Sequence, residues 1–251
     1  MTPAHAATVL LIGVGIGFLS GLFGKGGAAV ATPLLHAAGV PAMLAVGSPL
    51  PAALPATLLA SSAYRRRGFF DRSLVITSIA VGVPATVAGA IATRWVGGGA
   101  LILLTEVLIV LLGVRLLLVP RDHVAEEDVP ARPDRLLVAI VAVIVGFVSG
   151  MLANSGGFLL APLYVIVLHL PIKRAFAASL SVSAILTIPA TLVHVALGHI
   201  DWTVTLLFAL GATPLSLIGA RVALRTHSAR LERIYGAGIA VLGGVLLVAV
   251  R

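Results

Sequence analysis

Two hundred and fifty-one residues would ordinarily make one or two water-soluble domains, but 59% are hydrophobic, only 10% are charged and the mean hydropathy is +1.13. That balance excludes a soluble enzyme or repressor and reads as an all-α polytopic protein of the cell inner (plasma) membrane. The formal net charge of +8 sits at the ends of apolar runs, where the positive-inside rule accounts for it without nucleic acid, and the absence of cysteine removes any disulfide frame or thiolate site.

The amino terminus, MTPAHAAT, has no basic region ahead of its apolar run and is read as mature protein. The first apolar run, 7–39, has 33 residues, against the roughly 20 that cross a bilayer. LFGKGG at 22–27 interrupts it. Gly24, Gly26 and Gly27 let the backbone turn and leave N–H groups uncovered, a helix is expected from about residue 27, and Lys25 adds an ammonium to the same spot. An ionisable group at membrane depth costs several kcal/mol, so Lys25 is a functional candidate, with snorkelling to an interface as the rival reading.

The next runs are 43–64, which opens near Ser48 and contains PATL at 55–58, then 73–94 and 99–119. Glu106, within LLTEVLIV, is the other charge inside an apolar run and a candidate proton carrier; a packed neutral acid is the alternative. A polar linker, 120–134, divides the first transmembrane repeat (1–119) from the second (135–251). The run 135–170 has 36 residues and is broken by LANSGG at 152–157, where Asn154, Ser155, Gly156 and Gly157 offer uncharged donors. In 174–197, Ser179 stands where Ser48 stands in the first half, and His194 is a buried titratable group, more a packing residue or coupling candidate than a metal ligand. The last runs are 202–224 and 229–250, making about eight long segments, each read as helix because an unpaired strand cannot satisfy its backbone in lipid.

The halves repeat at a spacing of about 130: GFLSG (17–21) returns as GFVSG (146–150), Pro33-Leu34 as Pro162-Leu163, PATL at 55–58 as PATL at 189–192, Gly68 and Asp71 as Gly198 and Asp201, and Gly89 as Gly219. Lys/Arg bias changes sign between equivalent loops: RRRGFFDR at 65–72 answers GHID at 198–201, and VPAM at 40–43 answers Lys173-Arg174. The halves therefore read as an inverted-topology repeat with the linker cytoplasmic. Inversion needs an odd number of crossings per half, which makes each glycine-broken first run a re-entrant hairpin; two broken spans with eight crossings and parallel halves are the alternative.

A chain built of GFLSGLFGKGG with Pro33-Leu34, then GFVSGMLANSGG with Pro162-Leu163, resembles the TauE/SafE family of sulfite exporters and 4-toluene sulfonate uptake-like permeases over essentially its whole length. The resemblance implies a permease for a small inorganic or organosulfur anion such as sulfite. The anion is expected between the broken helices, at Gly24, Lys25, Gly26, Gly27, Asn154, Ser155, Gly156 and Gly157, with hydroxyls from Ser48 and Ser179 and with alternating access as the mechanism. Protons are the candidate coupling ion through Glu106 or His194, a homodimer is a candidate assembly, and no cofactor or metal is implied. A passive anion channel is the first alternative. An intramembrane serine protease is the second, and it is disfavoured because Phe18 and Phe147 occupy the position where its G-x-S-G motif needs glycine.

Overall fold

The computed structural model describes residues 3–24, 30–118, 134–153 and 156–249. Lys25, Gly26, Gly27, Asn154, Ser155 and linker residues 120–133 lie outside those residues, and so does the side chain of Glu106. Among the described residues the regular structure is helical. The first half contains α1 (Pro3–Leu22), α2 (Ala31–Ala37), α3 (Ala42–Gly47), α4 (Pro49–Arg66), α5 (Arg72–Ala92) and α6 (Gly98–Leu118). The second contains α7 (Arg135–Met151), α8 (Gly157–Ile166), α9 (Ile172–Ala196), α10 (Trp202–Arg225) and α11 (Ser228–Ala249).

Among the described residues, five runs are long and apolar enough to cross a membrane: α1, the α3–α4 run Ala42–Arg66, α5, α9 and α10. The helices α6 and α11 have 21 and 22 residues. The two over-long first runs are each divided, into α1 and a seven-residue α2 and into a 17-residue α7 and a ten-residue α8. The outward faces are aliphatic, with Leu11, Leu192, Leu206 and Leu210 all more than 60% exposed, while Ser78, Thr86, Ser149, Ser183 and Thr187 are buried. Such an arrangement suits a lipid solvent, in which leucine gains nothing by hiding and hydroxyls need partners inside the bundle.

Two aspartates begin the corresponding helices of the two halves. The Asp71 carboxylate accepts from the Leu74 N–H at 3.0 Å and opens α5; that of Asp201 accepts from Thr203 and Val204 at 2.8 and 3.2 Å and opens α10. Gly68 and Gly198, both at positive φ, end the preceding turns. The PATL pair is out of step with these caps, since 189 − 55 is 134 while 201 − 71 is 130. Thr57 and Thr187, which are 130 apart, are the matching residues. Their hydroxyls donate back to Ala53 at 2.7 Å and to Ser183 at 2.6 Å, so the second PATL sits one helical turn further on.

The halves interlock. The most extensive contact of α1 is with α10, and that of α7 is with α5. Both seams are made by small residues. A methyl group on Gly17 would overlap the backbone of Ala212, one on Gly21 that of Ser216, and one on Gly219 that of Phe18. The same contacts recur with the halves exchanged, at Gly146 on Gly82, Gly150 on Thr86, and Gly89 on Phe147. Glycines four apart let two backbones approach where no side chain fits. The repeated GFLSG and GFVSG segments are thus packing seams, with Gly17, Gly21, Gly146 and Gly150 all committed to a neighbouring helix.

Residue order along the seams gives the helix directions. Gly13, Gly17 and Gly21 meet Phe208, Ala212 and Ser216 in turn, so α1 and α10 run parallel; α5 and α7 do likewise. Along α4, Ser48, Ala56 and Arg66 approach Thr205, Ser216 and the last turn of α10, again in parallel. One end of the bundle gathers Arg66, Arg67, Arg221 and Arg225, with the Lys173 ammonium donating to the Leu224 carbonyl at 3.4 Å. At the other end Gly47 packs on the His199 backbone, Gly98 on Ala42 and Met43, and Trp95 and Trp202 are more than half exposed.

Candidate functional site

Both breaks are built on left-handed backbone. Gly24 has φ +59 and packs on the Phe176 ring; Gly156 has φ +82 and caps α8; Ala153, with a side chain, is held at φ +47. Glycine accepts these angles at little cost, and Ala153 shows the second break is constrained by its surroundings. The Ser179 hydroxyl stands between the breaks, 2.9 Å from the Gly24 carbonyl and 3.0 Å from the Gly157 carbonyl. One buried side chain on α9 therefore touches both interruptions. In the first turn of α8 the Leu159 and Leu160 N–H groups both bond to the Gly156 carbonyl, at 3.1 and 2.9 Å.

A cavity of about 30 Å³, room for only a water or two, lies beside the breaks. Ser20 of α1, Thr32 of α2 and Thr57 of α4 bring hydroxyls to it, Phe208 and Ala212 of α10 close one side, and Ala153 reaches it from the second break. All three hydroxyl-bearing residues are at least 93% buried. Ser20, Thr32 and Thr57 are not among the residues expected from the sequence. Ser20 stood in plain view within GFLSG and Thr57 within PATL, but nothing in a linear pattern says that α1, α2 and α4 share one cavity. Across the pseudo-repeat, the buried hydroxyls of Ser149, Thr86 and Ser183 have no hydrogen-bond partner among the described residues, and the Ser149 oxygen is 3.1 Å from where a Gly156 methyl would stand.

The remaining expected residues fall in different places. Ser48 is fully buried at the α3–α4 junction, where its hydroxyl accepts from the Asp201 N–H at 2.9 Å and its carbonyl accepts from the Thr205 hydroxyl at 2.8 Å. It ties α4 to the start of α10. His194 is also fully buried, its Nε2 3.1 Å from the Gly150 carbonyl and its Nδ1 3.0 Å from Nδ1 of His199. A carbonyl only accepts, so in the neutral pair His194 carries its hydrogen on Nε2 and His199 donates from Nδ1. That leaves Nε2 of His199 as the atom that can take a proton without breaking either bond. Burial in the α9–α10 turn holds the His199 imidazole below its ordinary pKa range. Lys25, Gly26, Gly27, Asn154 and Ser155 lie outside the described residues, and α6 carries Glu106 with its side chain outside them as well.

Interlocked helical halves meeting at two glycine breaks are the architecture of a multi-pass membrane transporter, with the special backbone buried where the halves touch. The chain belongs to the sulfite exporter TauE/SafE family, whose model matches residues 9–246. It is similar to a probable membrane transporter protein of Xylella fastidiosa (strain 9a5c), 27% identical over 237 residues that cover 91% of this chain and 90% of that one. It is likewise similar to the probable membrane transporter protein YjnA of Bacillus subtilis (strain 168), 24% identical over 253 residues, 95% of this chain and 98% of that one. No solved structure matches it. The protein is a membrane transporter.

Proposed function

We infer that this transporter carries a small sulfur oxyanion, sulfite or an organosulfonate, by alternating access across the inner membrane, with the anion held between the two broken segments. The observation that carries the reading is the Ser179 hydroxyl, in reach of Gly24 and Gly157 at once, beside a cavity lined by residues of both halves. An oxyanion leaving water needs its hydration replaced. Ser20 and Thr32 supply hydroxyls, α8 supplies a helix N-terminus equivalent to about half a positive charge, and Lys25, Asn154 and Ser155 follow directly on the backbone that reaches the site. The described part of α2 has two turns only, so the first break leans on Lys25 rather than on a helix dipole.

The 30 Å³ cavity is too small for an anion of four heavy atoms, so admission requires the seams to shift. A carrier that exposes its site to one side at a time has this property, and a passive channel with an open path does not. The inverted arrangement of the halves is supported by the parallel pairing of α1 with α10 and of α5 with α7, and by the gathering of arginines at one end of the bundle. For proton coupling, the His194–His199 pair and Glu106 are the candidates. Uptake of sulfite, thiosulfate, sulfoacetate and taurine into liposomes holding the purified protein, with and without a pH gradient, tests the substrate class: saturable flux of at least one is expected, and permeability no greater than that of empty liposomes for all four overturns it.

A further inference from the structure

At the arginine-bearing end of the α4–α10 seam is a second pocket, of about 320 Å³, an order of magnitude roomier than the central cavity. Arg66 and Arg67 enter it from the last turn of α4, and Arg221 and Arg225 from the last two turns of α10. Among the described residues that line it there is no acid. Asp71 and Asp134 are committed as helix N-caps, and Asp201 caps α10 at the end of the bundle away from the pocket. Cations suit helix C-termini, but two such ends supply only about half a negative charge each. Four guanidinium charges exceed that by about three units, and Lys173 adds a further charge at the rim.

The other side of the pocket is apolar. Leu59, 38% exposed on the lipid-facing side of α4, stands there with Leu217 and Leu224. The pocket is separate from the central cavity: the Ser216 hydroxyl donates to the Ala56 carbonyl at 2.8 Å, one turn deeper on the same seam, and closes the gap between them.

We propose that this pocket is a second anion site, binding a phosphate-type oxyanion through the guanidinium groups of Arg66, Arg67, Arg221 and Arg225. Guanidinium forks match tetrahedral oxyanions in bidentate fashion, and a basic pocket between helix ends with a leucine wall is suited to a headgroup whose acyl chains lie on Leu59. The same chemistry would hold a free oxyanion in the aqueous phase at that face. The inference stands on the pocket alone and holds whichever anion the central site carries.

The test uses the purified full-length chain, wild type against Arg66→Gln/Arg221→Gln, one change on each helix. Arg94→Gln serves as control, since Arg94 stacks on Trp95 at 4.0 Å, at the other end of the bundle. Phosphatidylglycerol retained through delipidation, read by native mass spectrometry, tests the lipid source, with phosphatidylcholine as reference. Inorganic phosphate against chloride at equal ionic strength, read by thermal shift of the lipid-stripped protein, tests the free source. A drop of at least tenfold in phosphatidylglycerol retention in the double variant, with phosphatidylcholine unchanged, identifies a headgroup site. Loss of phosphate stabilisation with lipid retention unchanged identifies a free-anion site. If the double variant does not fold, Arg66→Lys/Arg221→Lys keeps the charge and loses the fork, and a severalfold drop in one arm is expected. Equal behaviour of wild type and folded variant in both arms overturns the proposal.

Discussion

Lys25 is the residue on which, in the proposed function, anion selectivity depends most. Helix dipoles and hydroxyls are permanent and weak, whereas an ammonium adds a full charge on a flexible side chain. Lys25→Ala is expected to lower sulfite affinity by at least tenfold, about 1.4 kcal/mol, with Lys25→Arg retaining part and Asn154→Ala losing less. Equilibrium binding to the detergent-purified variants checks this, and wild-type affinity in Lys25→Ala would make the lysine an anchor only. His199 carries a second residue-level expectation. Its folded-state pKa lies below the ordinary His value because burial disfavours the imidazolium. As pH falls below about 6.5 the unfolded chain therefore takes up more protons than the folded one, and stability declines toward acid until the folded pair also titrates. Melting temperatures from pH 7.5 to pH 5 should fall more steeply for wild type than for His199→Gln, and identical slopes would contradict the assignment.

The elements were legible in the sequence to the extent that their causes are local. Apolar length pointed to the helices and the glycine clusters to both breaks, because these effects are decided within a few residues, whereas Asp71 and Asp201 stand out in the sequence only as repeat matches and prove to open α5 and α10. The pairing of α1 with α10 was not legible, since Gly13, Gly17 and Gly21 show spacing but name no partner almost two hundred residues away. The same limit hid the cavity: Thr32 and Thr57 look like ordinary helix threonines until α2 and α4 come together. Ser48 matched Ser179 in sequence, yet Pro49 begins a new helix after it while α9 runs unbroken through Ser179, so the two hydroxyls meet different surroundings. The seam itself is testable on one helix. Gly17→Ala drives a methyl into the Ala212 backbone, and overpacking of this kind costs about 1–3 kcal/mol. Gly15, two positions away, has open space around it. Gly17→Ala should lower the melting temperature in detergent while Gly15→Ala leaves it unchanged or raises it; equal effects would remove the seam as a determinant of stability.

At the scale of the whole molecule, the equivalent seams through which the two halves interlock support the proposal that one site is exposed to either side in turn. The basic end of the bundle is expected to face the cytoplasm. The chain has no native cysteine, so single cysteines at positions 67 and 199 can be labelled cleanly from either side; opposite-side labelling is expected, and same-side labelling would contradict inversion. The central claim, that the protein carries an anion rather than conducting it, is tested most directly by counterflow. Proteoliposomes preloaded with unlabelled sulfite are diluted into a trace of radiolabelled sulfite at clamped pH and zero membrane potential. A carrier with one alternating site accumulates label transiently above its external concentration, and Lys25→Ala reduces that overshoot. Label that only rises to equilibrium, with no overshoot at any internal load, would contradict the account.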